Sequence, residues 1–489
     1  VNPDLHIVES WAEAQDFMRW LGERRPYLAI DTETCGLEWP GKGPDFLRLV
    51  QFGDAQSGWA LPFPMWGALA REVFETYQGP TCWHNGKYDL QVMQNAGFNV
   101  RQEYRDDTML MARLLNPLLP AGLKDLASRH IDPRAKVAEK HLKATMKKQG
   151  WTWATVPYNF EMYWAYAALD VVYTARLAEQ FRPQVTALGM DEAYNIELAV
   201  CEILRQAERR GLRFDPDYTE VLRGQWQNEM CALAERLWAD HGIRNPQSDA
   251  QIVQALRQDG WEPQEFTEGG RPKLDEAVLR TLGHEIGELV VQHRRLRKWT
   301  SSYLQRFLTD NVDGRIHCTI NTLQAKTGRM SITAPALQTL PRGALIRDCF
   351  IPSDGNALVS LDYDQIEMRV FAHFAREQDM IRQIHAGVDL HSATAEKLYG
   401  PGFTKVQRQL AKNTNFSKIF CAGPKKFAET AGITYEMAER IYAEYDDTFP
   451  GVGAFMRQVE EIAQDRYDTE GIPYIRLSDG RMLRSYPDK

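Results

Sequence analysis

The sequence predicts a multidomain protein of α/β and α+β class. Three observations carry that expectation. Strand-like runs crowd the first 60 residues and give way to helical patterns from about 65 to 185, as in an α/β layered domain. From about 190 to 305 apolar residues recur at helical spacing nearly throughout. From 312 to 365 the pattern turns strand-like again, and from 366 to about 465 it is helical.

Composition agrees with this class. At 489 residues there is room for about three domains. Hydrophobic residues are 44% and charged residues 25%, which excludes wholesale disorder and fibrous repeats. No run approaches the ~18 consecutive apolar residues of a membrane-crossing helix. The seven cysteines lie far apart without a CxxC pair, so neither a zinc ribbon nor a disulfide framework is expected. This reads as a protein of reducing cytoplasm. The first residue is Val1 and no charged-then-apolar leader follows, so the chain reads as processed or trimmed. Net charge is −8, which a large enzyme with a locally basic groove tolerates.

In chain order, Tyr27-Leu28-Ala29-Ile30 is a buried-strand pattern ending at Asp31. Leu47 to Phe52 and Gly58 to Phe63 read as two more strands around a turn at Asp54 to Ser57. Asp31-Thr32-Glu33 puts two carboxylates at i and i+2, on one strand face. Like charges at an apolar strand end are costly unless compensated, most simply by a divalent cation. Taken alone, D-x-E is more often a solvated turn. His84 to Asp89 then follows a short strand and opens a helix with Asp89 in its first turn. Asp106-Asp107-Thr108 opens another, where one acid can stand behind the carboxylate set and an N-cap role explains either equally well. In Tyr166-Ala167-Ala168-Leu169-Asp170 the tyrosine and the acid share one helix face.

This ordered set (D-x-E, N-x-x-x-D, Y-x-x-x-D) resembles the DEDD exonuclease superfamily, tyrosine subtype. The resemblance implies a ribonuclease-H-like fold. It implies that Asp31, Glu33, Asp89 and Asp170 hold two divalent metals and that Tyr166 orients the attacking water.

Two helical runs follow, one through Leu198, Val200, Ile203 and Leu204, the other through Leu222, Trp226, Met230, Leu233, Leu237 and Trp238. The basic run Arg294-Arg295-Leu296-Arg297-Lys298 can meet duplex phosphates, although such runs are commonly solvated helix faces. Ala357 to Arg369 reads as a strand running into a helix, with Asp362 at the strand end and Ile366, Val370 and Phe374 as the buried stripe. Arg408, Lys412, Phe416 and Phe420 stand four apart, two cations followed by two rings. Six basic residues and no acid lie between Lys405 and Lys426, so the helix offers charge to a triphosphate and a ring to a base or sugar.

These two segments resemble motifs A and B of family A DNA polymerases, the bacterial DNA polymerase I class. Thr327-Gly328-Arg329-Met330-Ser331, Leu337-Gln338-Thr339-Leu340-Pro341 and Asp389-Leu390-His391-Ser392-Ala393-Thr394-Ala395 resemble further segments of that family. The resemblance implies a right-hand polymerase with thumb, partial palm and fingers. Asp362 and the backbone oxygen of Tyr363 would bind metal. Arg408 and Lys412 would hold the triphosphate, with Phe416 against the sugar and Phe420 near the templating base. Gln365, Glu367 and His391 would line the nucleotide pocket, Glu367 as the gate against a ribose 2′-OH. Arg329 and Gln338 would touch the duplex minor groove. Two Mg2+ (or Mn2+) ions would serve each site. The implied partners are primer–template DNA, single-stranded DNA and deoxynucleoside triphosphates, in the cytoplasm of a bacterium or a phage-infected host.

Asp364, Phe420 and Cys421 stand where Ser, Tyr and Gly are usual in that family. Its third motif, His-Asp-Glu, occurs nowhere in the 489 residues. A chain ending at Lys489 is therefore expected to degrade single-stranded DNA without extending primers and to lack central palm strands. The expected domains are 1–188 exonuclease, 189–303 thumb, 304–375 first part of the palm, and 376–489 fingers with the return towards the palm. The main expectation is a template-directed DNA polymerase with proofreading 3′–5′ exonuclease. The rivals are an exonuclease alone, of the ribonuclease D type, and a polymerase-defective DNA-binding protein.

Overall fold

The computed structural model describes residues 2–100, 106–267, 269–325, 327–341 and 345–484. Two compact units make up the chain. The first runs to Leu358 and includes Ser478–Arg481; the second runs from Val359 to Leu477 and resumes at Met482.

The first unit opens with a six-stranded sheet. Its strands are β1 (Asp4–Ile7), β2 (Leu28–Thr34), β3 (Leu47–Gly53), β4 (Ser57–Pro62), β5 (Thr81–Trp83) and β6 (Asp106–Asp107), in the order β1-β4-β3-β2-β5-β6. The central β2–β3–β4 meander is antiparallel, and β1, β5 and β6 join in parallel. The β3–β4 turn forms because the Asp54 carboxylate accepts from the amides of Gln56 and Ser57, each at 2.9 Å. Every residue of β3 is buried, as expected for a strand covered on both faces.

Helices α1 (Trp11–Leu21), α2 (Phe63–Thr76), α3 (Lys87–Asn95), α4 (Thr108–Leu115), α5 (Leu123–His130), α6 (Ala135–Gln149) and α7 (Glu161–Ala187) surround the sheet. The helix α7 lies against its middle. Close approach requires glycine there: a Cβ on Gly58 would collide with the Ala168 carbonyl, and one on Gly53 would press into Val171. This contact sets the height of Tyr166 and Asp170 over β2.

Next come α8 (Asp191–Arg210), α9 (Pro216–His241), α10 (Asp249–Gln258), α11 (Glu276–Thr281), α12 (Glu285–Trp299) and α13 (Gln305–Thr309). On α9 the stripe Leu222, Trp226, Leu233 and Leu237 is buried as the spacing predicts, but Trp238 is exposed. On α8 the inward face is Ala193, Tyr194, Glu197, Cys201 and Leu204, while Ile203 is exposed. Arg294 is held by the carbonyls of Pro246 and Leu274 and by Asp249, so this member of the basic run is a structural tie.

The region from 312 to 365 departs from expectation. It contains β8 (Arg315–Ile316), which pairs with β7 (Leu212–Arg213), and the hairpin β9 (Thr319–Asn321) with β10 (Ser331–Thr333). No strand follows β10 before Asp362 among the described residues. Ala357 to Asp362 has the side chains of a strand but no partner to complete its hydrogen bonds, and Leu358, Val359 and Leu361 are exposed.

The second unit is helical: α14 (Ile366–Phe374), α15 (Gln378–His385), α16 (Leu390–Tyr399), α17 (Lys405–Ile419), α18 (Pro424–Ala431), α19 (Tyr435–Thr448) and α20 (Pro450–Glu470). A hairpin, β11 (Tyr474–Arg476) with β12 (Met482–Arg484), follows. The expected stripe of α14 is corrected. Its core face is Met368, Phe371 and Ala372, packed with Tyr445, Phe449 and Val452, whereas Ile366, Val370 and Phe374 are exposed. Both stripes obey helical spacing; α19 and α20 select the one they cover. Among the described residues no helix is long and apolar enough to cross a membrane.

Candidate active site

Three of the four expected carboxylates, Asp31, Glu33 and Asp170, converge, and Asp89 stands outside that group. The strand β2 alternates after Ile30: Thr32 and Thr34 are buried, while Asp31 and Glu33 face the other way and are partly exposed. Asp170 comes to that face from α7. Asp31, Glu33 and Asp170 each offer an oxygen, and the three lie within 4.8 Å of one another. Among the described residues this is the one group of three or more such ligands. An all-oxygen donor set suits a hard divalent cation, so the residues fit the metal the sequence implies.

Asp89 stands in the first turn of α3, buried, and accepts a 2.6 Å hydrogen bond from Thr32 Oγ1. Burial and the adjacent Asp31 hold its carboxyl well above the usual range. Burial pushes Asp31 up to about 6. Burial, reinforced by Asp31, pushes Glu33 up to about 8. Burial and mutual repulsion thus disfavour the charged forms of these carboxyls, and a cation bound among them would favour those forms. Tyr166 stands one turn before Asp170, partly buried, with its hydroxyl pKa raised by burial and by the charge of Glu33.

Sequence reasoning missed Lys124. It enters from α5, and its ammonium pairs with Asp170 Oδ1. It also lies 4.0 Å from the Tyr166 ring centroid. Burial pulls its pKa down to about 8, against the pull of Glu33 and Asp31. No spacing rule links Lys124 to the acids, so the sequence carried no signal for it. Asp107 proves to be an N-cap, accepting from Met109 and Leu110 at 2.8 and 3.1 Å, and Asp106 accepts from the Tyr194 hydroxyl at 2.9 Å.

In the second unit, α16 and α17 bring together five of the expected nucleotide residues. Arg408 binds Asp389 Oδ2 through Nη2 at 2.6 Å and Nε at 3.1 Å. Lys412 lies 6.0 Å from the Phe416 ring and has no carboxylate partner among the described residues. Phe416 stacks on Phe420 with centroids 6.2 Å apart, and His391 meets Phe416 at 5.4 Å. The buried His391 ring is fixed by the Asn415 amide, 3.1 Å from its Nδ1.

The other expected residues are placed differently. Asp362, Tyr363 and Glu367 are exposed, the last in the first turn of α14. Gln365, with φ of 51°, makes the left-handed turn into that helix. Asp362 belongs to no cluster of three ligating side chains among the described residues. Gln338, in the first unit, is engaged with its own chain: it donates to the Met330 carbonyl and accepts from the Ile332 amide, both at 3.0 Å. Arg329, just before β10, is exposed.

Residues 5–186 match the 3′–5′ exonuclease family, and residues 216–474, more than half the chain, match DNA polymerase family A. The chain belongs to DNA polymerase family A. It is 31% identical to a DNA polymerase of Mycobacterium phage D29, across 94% of this chain and 80% of the relative. It is 30% identical to DNA polymerase I of Chloroflexus aurantiacus, across 94% of this chain but 51% of that relative. The chain thus spans about half the length of that bacterial polymerase. Its fold is similar to a solved structure, the POL domain of Pol1 from M. smegmatis in complex with DNA primer-template and dNTP. The TM-score is 0.72 at 22% identity, covering 98% of this chain and 81% of that one. This family A chain therefore joins an exonuclease domain to a polymerase domain, the content of a proofreading DNA polymerase.

Proposed function

We propose that the exonuclease chemistry is carried by Asp31, Glu33, Asp89 and Asp170 as ligands of two divalent ions, Mg2+ or Mn2+, with Tyr166 orienting the water. The observation that carries this reading is the convergence of three carboxylates within 4.8 Å beside a tyrosine one helical turn from Asp170. Bound metal supplies activation of a water and charge neutralisation at the leaving oxygen of a phosphodiester. The residues themselves hold the site in register. Thr32 fixes Asp89, α7 fixes Asp170, and the tyrosine hydroxyl, kept protonated by burial, donates or accepts a hydrogen bond without becoming charged.

For synthesis, we assign the α16–α17 surface to the incoming deoxynucleoside triphosphate. Lys412 supplies an uncommitted ammonium and Arg408 a guanidinium poised on Asp389. Phe416 and Phe420 offer a stacked pair of rings to the sugar and base. Glu367 is assigned as the sugar gate, with Gln365 and His391 lining the same pocket. Asp362 and the Tyr363 carbonyl are assigned as metal ligands, and Arg329 and Gln338 as minor-groove contacts. The domain limits 1–188, 189–303, 304–375 and 376–489 belong to this reading, as do primer–template and single-stranded DNA as partners in a bacterial or phage-infected cytoplasm.

The test is a labelled primer–template assay on the full natural chain. Extension with nucleotides, and 3′ shortening without them, supports the reading. Shortening without extension leaves an exonuclease alone, and neither leaves a DNA-binding protein.

A further inference from the structure

Lys124 is a cation among acids proposed to hold metal, and the two-metal chemistry gives it no role. Its side chain is 12% exposed and that of Asp170 is 7%, so the pair is shielded from water and salt. It is not a surface ion pair that happens to fall near the site. The ammonium touches Asp170, one of the three clustered carboxylates, and packs over the Tyr166 and Tyr173 rings at 4.0 and 5.5 Å. Its charge reaches Glu33 and Asp31 as well. The second residue of α5 is placed for this by the packing of α5 against α7.

We infer that Lys124 is the resident counter-ion of the exonuclease site, occupying Asp170 when no divalent ion does and competing with that ion for the same oxygen. The inference rests on the exonuclease reading above. Carboxylates held this close repel one another when charged, and a nearby positive charge offsets that repulsion. With the ammonium on Asp170, the cluster is partly neutralised before metal arrives. Metal binding at Asp170 then requires the ammonium to swing away, towards water or a substrate phosphate. The lysine thus lowers metal affinity while keeping the metal-free site assembled. A lysine with a merely structural role would have the opposite effect on substitution, because loosening the site weakens metal binding.

The experiment is calorimetric titration of Mn2+ into the DNA-free protein, comparing wild type, Lys124→Met, Lys124→Arg and Asp31→Asn/Glu33→Gln. The double substitution defines which binding belongs to this site. Lys124→Met should tighten that binding by about tenfold, the order expected when one partly screened competing charge is removed. Lys124→Arg, which keeps the charge, should stay within about twofold of wild type. In EDTA the Met variant should melt lower than wild type, and Mn2+ should raise its melting temperature by more. Unchanged or weaker Mn2+ binding in Lys124→Met overturns the inference, as does an unchanged metal affinity with lost single-stranded DNA binding, which makes Lys124 a phosphate contact. If wild type has no Asp31-dependent Mn2+ site, the exonuclease reading falls and this inference with it. Should Lys124→Met fail to fold without metal, wild-type protein labelled at lysine 13Cε decides the matter. The resonance absent from Lys124→Arg must move on addition of Mg2+; if it stays in place, the ammonium does not leave and the inference is wrong.

Discussion

Arg408 and Asp389 are joined by two hydrogen bonds to one carboxylate oxygen, at 2.6 and 3.1 Å. The same oxygen caps α16 by accepting from the Ser392 amide at 3.0 Å. One carboxylate therefore ties α17 to the start of α16 and aims the guanidinium assigned to the triphosphate. Burial alone would raise Asp389, but hydrogen bonds from Ser392 and Arg408 outweigh it and bring the carboxyl down to about 2. Its folded pKa thus lies below the ordinary value of about 3.9. The stability it contributes is present above about pH 4 and lost as pH falls towards 2. Thermal denaturation at pH 5 and pH 3 should show a smaller acid-induced loss in Asp389→Asn than in wild type. Equal losses would mean that the pair contributes nothing to the coupling of these helices.

Lys412→Ala should raise the nucleotide KM or slow incorporation by roughly ten- to a hundredfold, the worth of a charge-assisted bond to phosphate. Degradation of single-stranded DNA should be unchanged. Normal primer extension by this variant and by Arg408→Ala would reduce the basic stripe to a solvated helix face.

Asp31→Ala combined with Glu33→Ala should abolish 3′–5′ degradation. Metal-ion catalysis supplies several kcal/mol, so a loss on the order of a thousandfold or more is expected. Binding of single-stranded DNA should survive, because phosphate contacts elsewhere dominate it. A double variant that degrades DNA at the parental rate would remove the carboxylate cluster from the chemistry.

Tyr166→Phe keeps the ring over Lys124 and deletes one hydroxyl. Exonuclease rate should fall roughly ten- to a hundredfold through lost positioning of the water. Mn2+ affinity, read by calorimetry, should hold. A parallel loss of rate and affinity would make the hydroxyl a support of the metal site instead.

Thr32→Val preserves shape on β2 and removes the 2.6 Å bond to the buried Asp89. Urea denaturation in EDTA should show a loss of about 1–3 kcal/mol, as for a buried acceptor left without its donor. If the variant unfolds at the wild-type midpoint, Asp89 is held by other means.

The sequence alone determined the relations that local periodicity governs. Asp31 and Glu33 share a face because strands alternate, and Tyr166 and Asp170 share one because helices turn in 3.6 residues. The ordered spacing of those acids, and of Arg408 to Phe420, was legible for the same reason. Tertiary structure decided what depends on neighbours. It brought Lys124 to Asp170 and Asp389 to Arg408, contacts between separate helices that no period encodes. It buried Met368 and Phe371 rather than Ile366 and Val370, because a helix offers several apolar stripes and packing selects one. It left Ala357 to Asp362 without strand structure, because β-propensity becomes a strand only where another backbone completes the ladder. Side-chain direction along an element is a property of the chain, but burial and pairing are properties of what stands opposite.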